Sequence, residues 1–164
     1  MNIRAQFYLD IQAQLKTLAK IKHIDLYNNQ LAHLDEEESF HFPSVFIEFG
    51  KIPWLDKSGK AQEANVDIMI HIVSNSKIKT SSKSDNGSVG LAHLELVDDI
   101  HFLLRAWTGN YFRPLRRIMS EPDHDHDNLW EDIETYSTHF TDTAVATVYT
   151  AAADVKPNVS MEVL

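Results

Sequence analysis

The period at which apolar residues recur changes along this chain, and that change limits what it can fold into. Residues 2–22 carry Ile3, Phe7, Ile11, Leu15 and Leu18 at spacings of three and four, and residues 91–107 repeat the pattern with Leu91, Leu94, Val97, Ile100, Leu104 and Trp107. Each block makes a helix with one apolar side. Between them the period drops to two. In Val66-Asp67-Ile68-Met69-Ile70-His71-Ile72 the even positions share one face of a strand. One-sided helices and a one-sided strand bury their apolar surfaces against each other. The expected fold is therefore α+β: a mixed or antiparallel sheet with two helices packed on one face. Residues 1–142 form a single domain in this reading, and residues 143–164, which have no helical period and contain Pro157, form an extended C-terminal arm.

A chain of 164 residues suffices for one domain, burying roughly 68–70% of its unfolded surface without staples. It has no cysteine, so disulfides, zinc thiolates and thiol nucleophiles are all excluded. The formal charge of −9 repels phosphate backbones on average and argues against a dedicated nucleic-acid binder. Arg4, Asp10 and Lys16 interrupt the apolar residues of the first helix. Neither a signal peptide nor a membrane span is expected there, which makes synthesis inside the cell the default.

Further elements follow from local signals. The first helix should fade near Lys20-Ile21-Lys22, and Ile24 to Tyr27 can form a short edge strand. The acidic run 35–38 suits a loop or a solvated lead-in. Phe40 to Phe49 is rich in strand formers, with Pro43 near its start marking a sheet edge or a bulge. A polar connection containing Trp54 and Gly59 then leads to the strand at 64–74, making a long hairpin. Residues 75–90, dense in Ser, Lys, Asn and Gly, are expected to be mobile. Gly109 suits the stop of the second helix. Phe112 to Ser120 is expected as a strand, Asp123 to Asn128 as a polar crossing, and Trp130 to Phe140 as a final strand with a bulge.

Few residues form patterns that carry chemistry. His124-Asp125-His126-Asp127 offers metal-ligand types, but alternate residues of an extended segment point to opposite sides. A turn, with Asp123 and Asp127 bonding the local backbone, is the simpler reading. The other histidines are dispersed. No glycine-rich phosphate loop exists among five glycines, and no Gly-x-Ser-x-Gly is present. His101 lies on the apolar side of its helix and should be a packed or boundary residue. Arg113, Arg116 and Arg117 form one compact basic group, suited to pairing with Glu131, Asp132 or Glu134, or to clamping acidic residues of a neighbouring subunit. Ile52-Pro53-Trp54-Leu55 places apolar residues at a hairpin tip, where they contact a partner or fold back on their own sheet. Candidate interface residues are thus Ile52, Trp54, Leu55, Arg113, Arg116 and Arg117. No catalytic, cofactor-binding or metal residue is assigned, and the chain is expected not to be an enzyme.

The order of these elements resembles the tail terminator and tail-completion (head-tail joining) proteins of long-tailed bacteriophages. The residues that carry the resemblance are the helix from Ile3 to Leu18, Phe42-Pro43-Ser44-Val45-Phe46-Ile47-Glu48, and Val66 to Ile72. Leu94 to Ile100, Arg117 to Asp123, and Trp130 to Asp142 continue it. The arm after Thr143 and the Lys/Ser-rich segment 77–84 depart from the pattern. The resemblance implies a virion component of the tail or neck, made in the host cytoplasm and needing no cofactor. Copies would form a homo-oligomeric ring, usually a hexamer, that caps the tail tube protein and meets the head-side connector protein. Genomic DNA would pass through the lumen without specific binding, as an acidic chain allows. No membrane is involved. Two other classes stand beside this one: a small metal-dependent hydrolase using His124, Asp125 and His126, and a monomeric binding module.

Overall fold

The computed structural model describes residues 2–33, 41–75, 87–125 and 129–143. Helix α1 spans Ile3–Leu15. The Asn2 side chain caps it, accepting from the backbone N–H of Arg4 at 2.8 Å and of Ala5 at 3.2 Å. Strand β1 is His23–Leu26 and β2 is Ser44–Phe49. The short β3 is Leu55–Asp56, β4 is Gln62–Asn75, helix α2 is Gly87–Leu104, β5 is Arg116–Asp123 and β6 is Leu129–Asp142. The sheet order is β1-β2-β4-β6-β5, with β3 paired to the start of β4. β1 runs parallel to β2 and the other pairs are antiparallel, so the sheet is mixed. Among the described residues no helix is long and apolar enough to cross a membrane.

Both helices lie on one face of the sheet, as the two periods require. Ile3, Phe7, Ile11 and Leu15 from α1 and Leu96, Val97, Ile100 and Leu104 from α2 enter one core with Ala64, Val66, Ile68, Ile70 and Ile72 of β4. Phe7 is its hub, with ring centroids 5.0 Å from Phe112 and from Phe140, 5.9 Å from Trp107 and 6.0 Å from Phe49. β4 alternates buried and accessible residues as far as Ile70, and is then buried on both faces through Val73. The cause is a second, smaller core on the opposite face, where Tyr27, Leu31 and Phe42 cover Phe46, Val73 and Leu129.

Several boundaries differ from the expectation. α1 stops at Leu15, well before Lys20, although Leu18 and Ile21 still pack against the core. α2 ends at Leu104, and the left-handed residue after it is Ala106, at φ 60°, in place of Gly109. Gly109 is small for another reason: a Cβ there would stand 2.4 Å from Cε1 of the buried Phe112 ring. β5 begins at Arg116 and includes Asp123, and the bulge lies in β5 between Arg117 and Met119, not in β6. Pro43 precedes β2 through a cis peptide bond, and β2 is an interior strand. The acidic run 35–38, most of the segment expected to be mobile, His126, Asp127 and the arm beyond Thr143 lie outside the described residues.

Candidate functional site

The residues expected at an interface are divided by the structure. Ile52 and Trp54 fold back and pack against the helix-side core, whereas Leu55, on β3, stays 61% exposed. Arg113 precedes β5; its backbone N–H donates to the His139 carbonyl at 3.0 Å and its carbonyl accepts from the Thr138 hydroxyl at 2.5 Å. Its guanidinium lies near Glu63, whose carboxyl is held below the ordinary range first by a hydrogen bond from Lys57 and further by Lys57, His139 and Arg113 charges. Leu55 and Arg113 therefore share one end of the sheet, since Leu55 is the register partner of Glu63.

Arg116 and Arg117 begin β5 and point to opposite faces. Arg116 pairs in register with Ser137 on the face away from the helices, and Arg117 with Tyr136 on the helix face. Arg117 donates from Nη1 to Oε2 of Glu134 at 2.9 Å, and that carboxylate is only 2% exposed. This is the cross-strand pair anticipated from composition, and it makes Arg117 a structural cation. The same guanidinium acts on two neighbours. Burial, then Arg117, lowers the basicity of His101, which lies 3.3 Å from the Tyr136 hydroxyl. Burial, then the Glu134 charge, raises the Tyr136 phenol above its ordinary range.

Large exposed apolar side chains gather at two edges. Leu91, Leu94 and Phe102 project from α2, and Ile118 and Met119 stand on the adjoining edge strand β5; Phe102 is 71% exposed. At the opposite edge Leu26 projects from β1, and Leu9 from the outward side of α1. Arg116 begins the β5 strand that carries Ile118 and Met119, while Asp25 lies on β1 beside Leu26.

Two histidine sites escaped the sequence reading. On the face away from the helices His71 is buried, its Nδ1 lying 2.6 Å from Oε1 of Glu131 and its Nε2 3.0 Å from Oε2 of Glu48. Tyr27 stacks on it with centroids 4.0 Å apart. Both ring nitrogens can donate here only when the ring carries both protons. On the helix face His93 of α2 bridges to the sheet: Nδ1 is 2.7 Å from Ser74 Oγ and Nε2 is 2.7 Å from Asp132 Oδ2. For His93 the signal available was a histidine on the apolar stripe of its helix, but its partners lie 19 and 39 residues away, and those of His71, on the face of β4 opposite its apolar residues, lie 23 and 60 away. At the expected His-Asp turn, His124 and Asp125 are exposed and the Asp125 N–H donates to Asp123 Oδ1 at 2.8 Å, a side-chain turn. Among the described residues no group of three or more ligand side chains is placed to hold a metal ion.

No family model and no curated protein matches the chain. Among solved structures, a chain of the virion of a native gene transfer agent particle is similar at 9% identity and a TM-score of 0.49, covering 80% of this chain and 92% of that one.

Proposed function

We propose that this chain is a virion structural protein, a tail terminator whose copies close into a ring, hexameric as is usual in the family it resembles. The ring caps the tail tube protein and presents a surface to the head-side connector protein, with genomic DNA passing through its lumen. The observation that carries this reading is the pair of unlike exposed edges. α2 with β5 supplies Leu91, Leu94, Phe102, Ile118 and Met119 with Arg116 on the same strand, and β1 with α1 supplies Leu26 and Leu9 with Asp25. Two different surfaces on opposite edges suit a heterologous contact, each subunit offering one edge to the next, and such contacts close into rings. Apolar centres with Arg at the rim are the composition of protein interfaces. The net charge of −9 suits a lumen that must not hold DNA.

Light scattering and electron microscopy of the purified chain test the proposal, alone and with tube protein. The expected result is one discrete cyclic oligomer that limits tube length. Phe102→Asp with Leu94→Glu should leave the subunit folded and prevent the ring. A chain that stays monomeric under both conditions and leaves tube length unchanged is not a terminator.

A further inference from the structure

The His93 bridge has the connectivity of a nucleophile, a base and an orienting carboxylate. Asp132 can only accept when ionised, so the proton between it and His93 sits on Nε2. With the ring neutral in that tautomer, Nδ1 keeps a lone pair, and the Ser74 hydroxyl facing it at 2.7 Å donates to it. His93 is 6% exposed and held on both sides, so its ring has little freedom. A mere tether between helix and sheet needs no space beside the serine, yet Ser74 and His93 line an open cavity of about 410 Å³. Its other walls include Phe42, Pro43, Ala92 and Leu96, which are apolar, and Lys20. This combination of apolar walls and convergent polar groups is that of a small-molecule site.

We propose that Ser74, His93 and Asp132 form an acyl-transfer site for esters with a short apolar acyl group. Ser74 Oγ attacks the ester carbonyl carbon, and its proton passes to His93 Nδ1 as the new C–O bond forms. The tetrahedral intermediate expels the alcohol, whose oxygen takes that proton from His93. Water then attacks the acyl-serine carbonyl, gives a proton to His93 Nδ1, and releases the carboxylic acid as Ser74 recovers its hydrogen. Asp132 is a positioning residue: it holds the ring in the tautomer the first step needs and offsets the charge the ring acquires. Lys20 lines the same cavity, and its ammonium is engaged by Asp99, to whose Oδ2 it donates at 2.7 Å. The site does not depend on ring formation.

The test uses the full chain, a fluorophosphonate probe with peptide mass spectrometry, and hydrolysis of p-nitrophenyl butyrate. Ser74 should be modified in the folded protein and not after denaturation, and the labelling rate should rise with pH through the imidazole range. Ser74→Ala should abolish both labelling and hydrolysis, and His93→Gln should slow them by about a hundredfold or more. Asp132→Asn should displace the pH profile, with partial recovery in Asp132→Glu, a response a purely structural carboxylate does not produce. Should His93→Gln fail to fold, the wild-type pH profile decides. Labelling of Ser74 no faster than surface serines, or at a rate flat with pH, would overturn the proposal while leaving the assembly reading untouched.

Discussion

Replacing Arg117 by Ala tests whether this arginine holds the fold, with Arg116 on the other face of the same strand as the control. The Glu134 carboxylate is 2% exposed and receives a charge-assisted hydrogen bond from Arg117 at 2.9 Å. Removing one partner of a buried pair typically costs about 3–5 kcal/mol, because the remaining charge has lost both its counter-ion and water. The Arg117 side chain is 32% exposed, however, so water can enter the space it vacates. The expected cost is therefore about 2–3 kcal/mol, below the fully buried range. Arg116→Ala, on the other face of the same strand, should stay within about 0.5 kcal/mol. Urea unfolding followed by tryptophan fluorescence measures both, at several protein concentrations so that association does not enter the midpoint. A double-mutant cycle adds the decisive arm. In a Glu134→Gln background the cost of Arg117→Ala should fall to about 1 kcal/mol or less, since no charge is left unpaired. The His101 titration, followed by NMR, should also move upward in Arg117→Ala, because the Arg117 charge is one cause of its lowered basicity. Equal costs for Arg116→Ala and Arg117→Ala, or no change in the Gln background, would refute the assignment of Arg117 to the fold.

Phe7→Ala should cost about 3–5 kcal/mol, since the ring is fully buried and touches four aromatic neighbours, whereas Leu9→Ala on the outward side of α1 should cost under about 1 kcal/mol; the two unfolding midpoints decide. Ile68→Asp should cost several kcal/mol, and Asp67→Ser, on the accessible face of β4, about 0.5 kcal/mol or less, with equal loss contradicting the alternation. Ala106→Gly should stabilise by about 0.5–1 kcal/mol by removing a side chain from a left-handed position, read as a rise in thermal midpoint. In pH-dependent unfolding, His101 is less basic in the fold, so its contribution is present above its unfolded value near about 6.5 and is lost as pH falls below it. Burial raises the Tyr136 phenol, so its contribution is present below about pH 10 and lost as pH rises beyond it. Phe substitution at Tyr136 should flatten the alkaline limb.

The sequence by itself determined the class of fold and the sides of its elements. Ile3, Phe7, Ile11 and Leu15 face the core because a period near 3.6 admits no other burial, and Ala64 through Ile72 do so because a period of two admits one sheet face. For the arginine group the sequence offered Glu131, Asp132 or Glu134 as partners, and the strand register selected Glu134 for Arg117. Tertiary structure decided what depends on residues distant in the chain. Tyr27, Leu31 and Phe42 bury the second face at one end of β4, which the local pattern of β4 does not encode. The αL residue fell at Ala106 because helix length is set by packing, and Gly109 was kept small by the Phe112 ring rather than by its own backbone. Ile52 and Trp54 had a sheet to fold back on, so the hairpin tip exposes Leu55 alone of the three. The meeting of Ser74, His93 and Asp132 at 2.7 Å joins a strand, a helix and another strand. No spacing announces such a meeting, because register and helix placement, not sequence distance, bring the three side chains together.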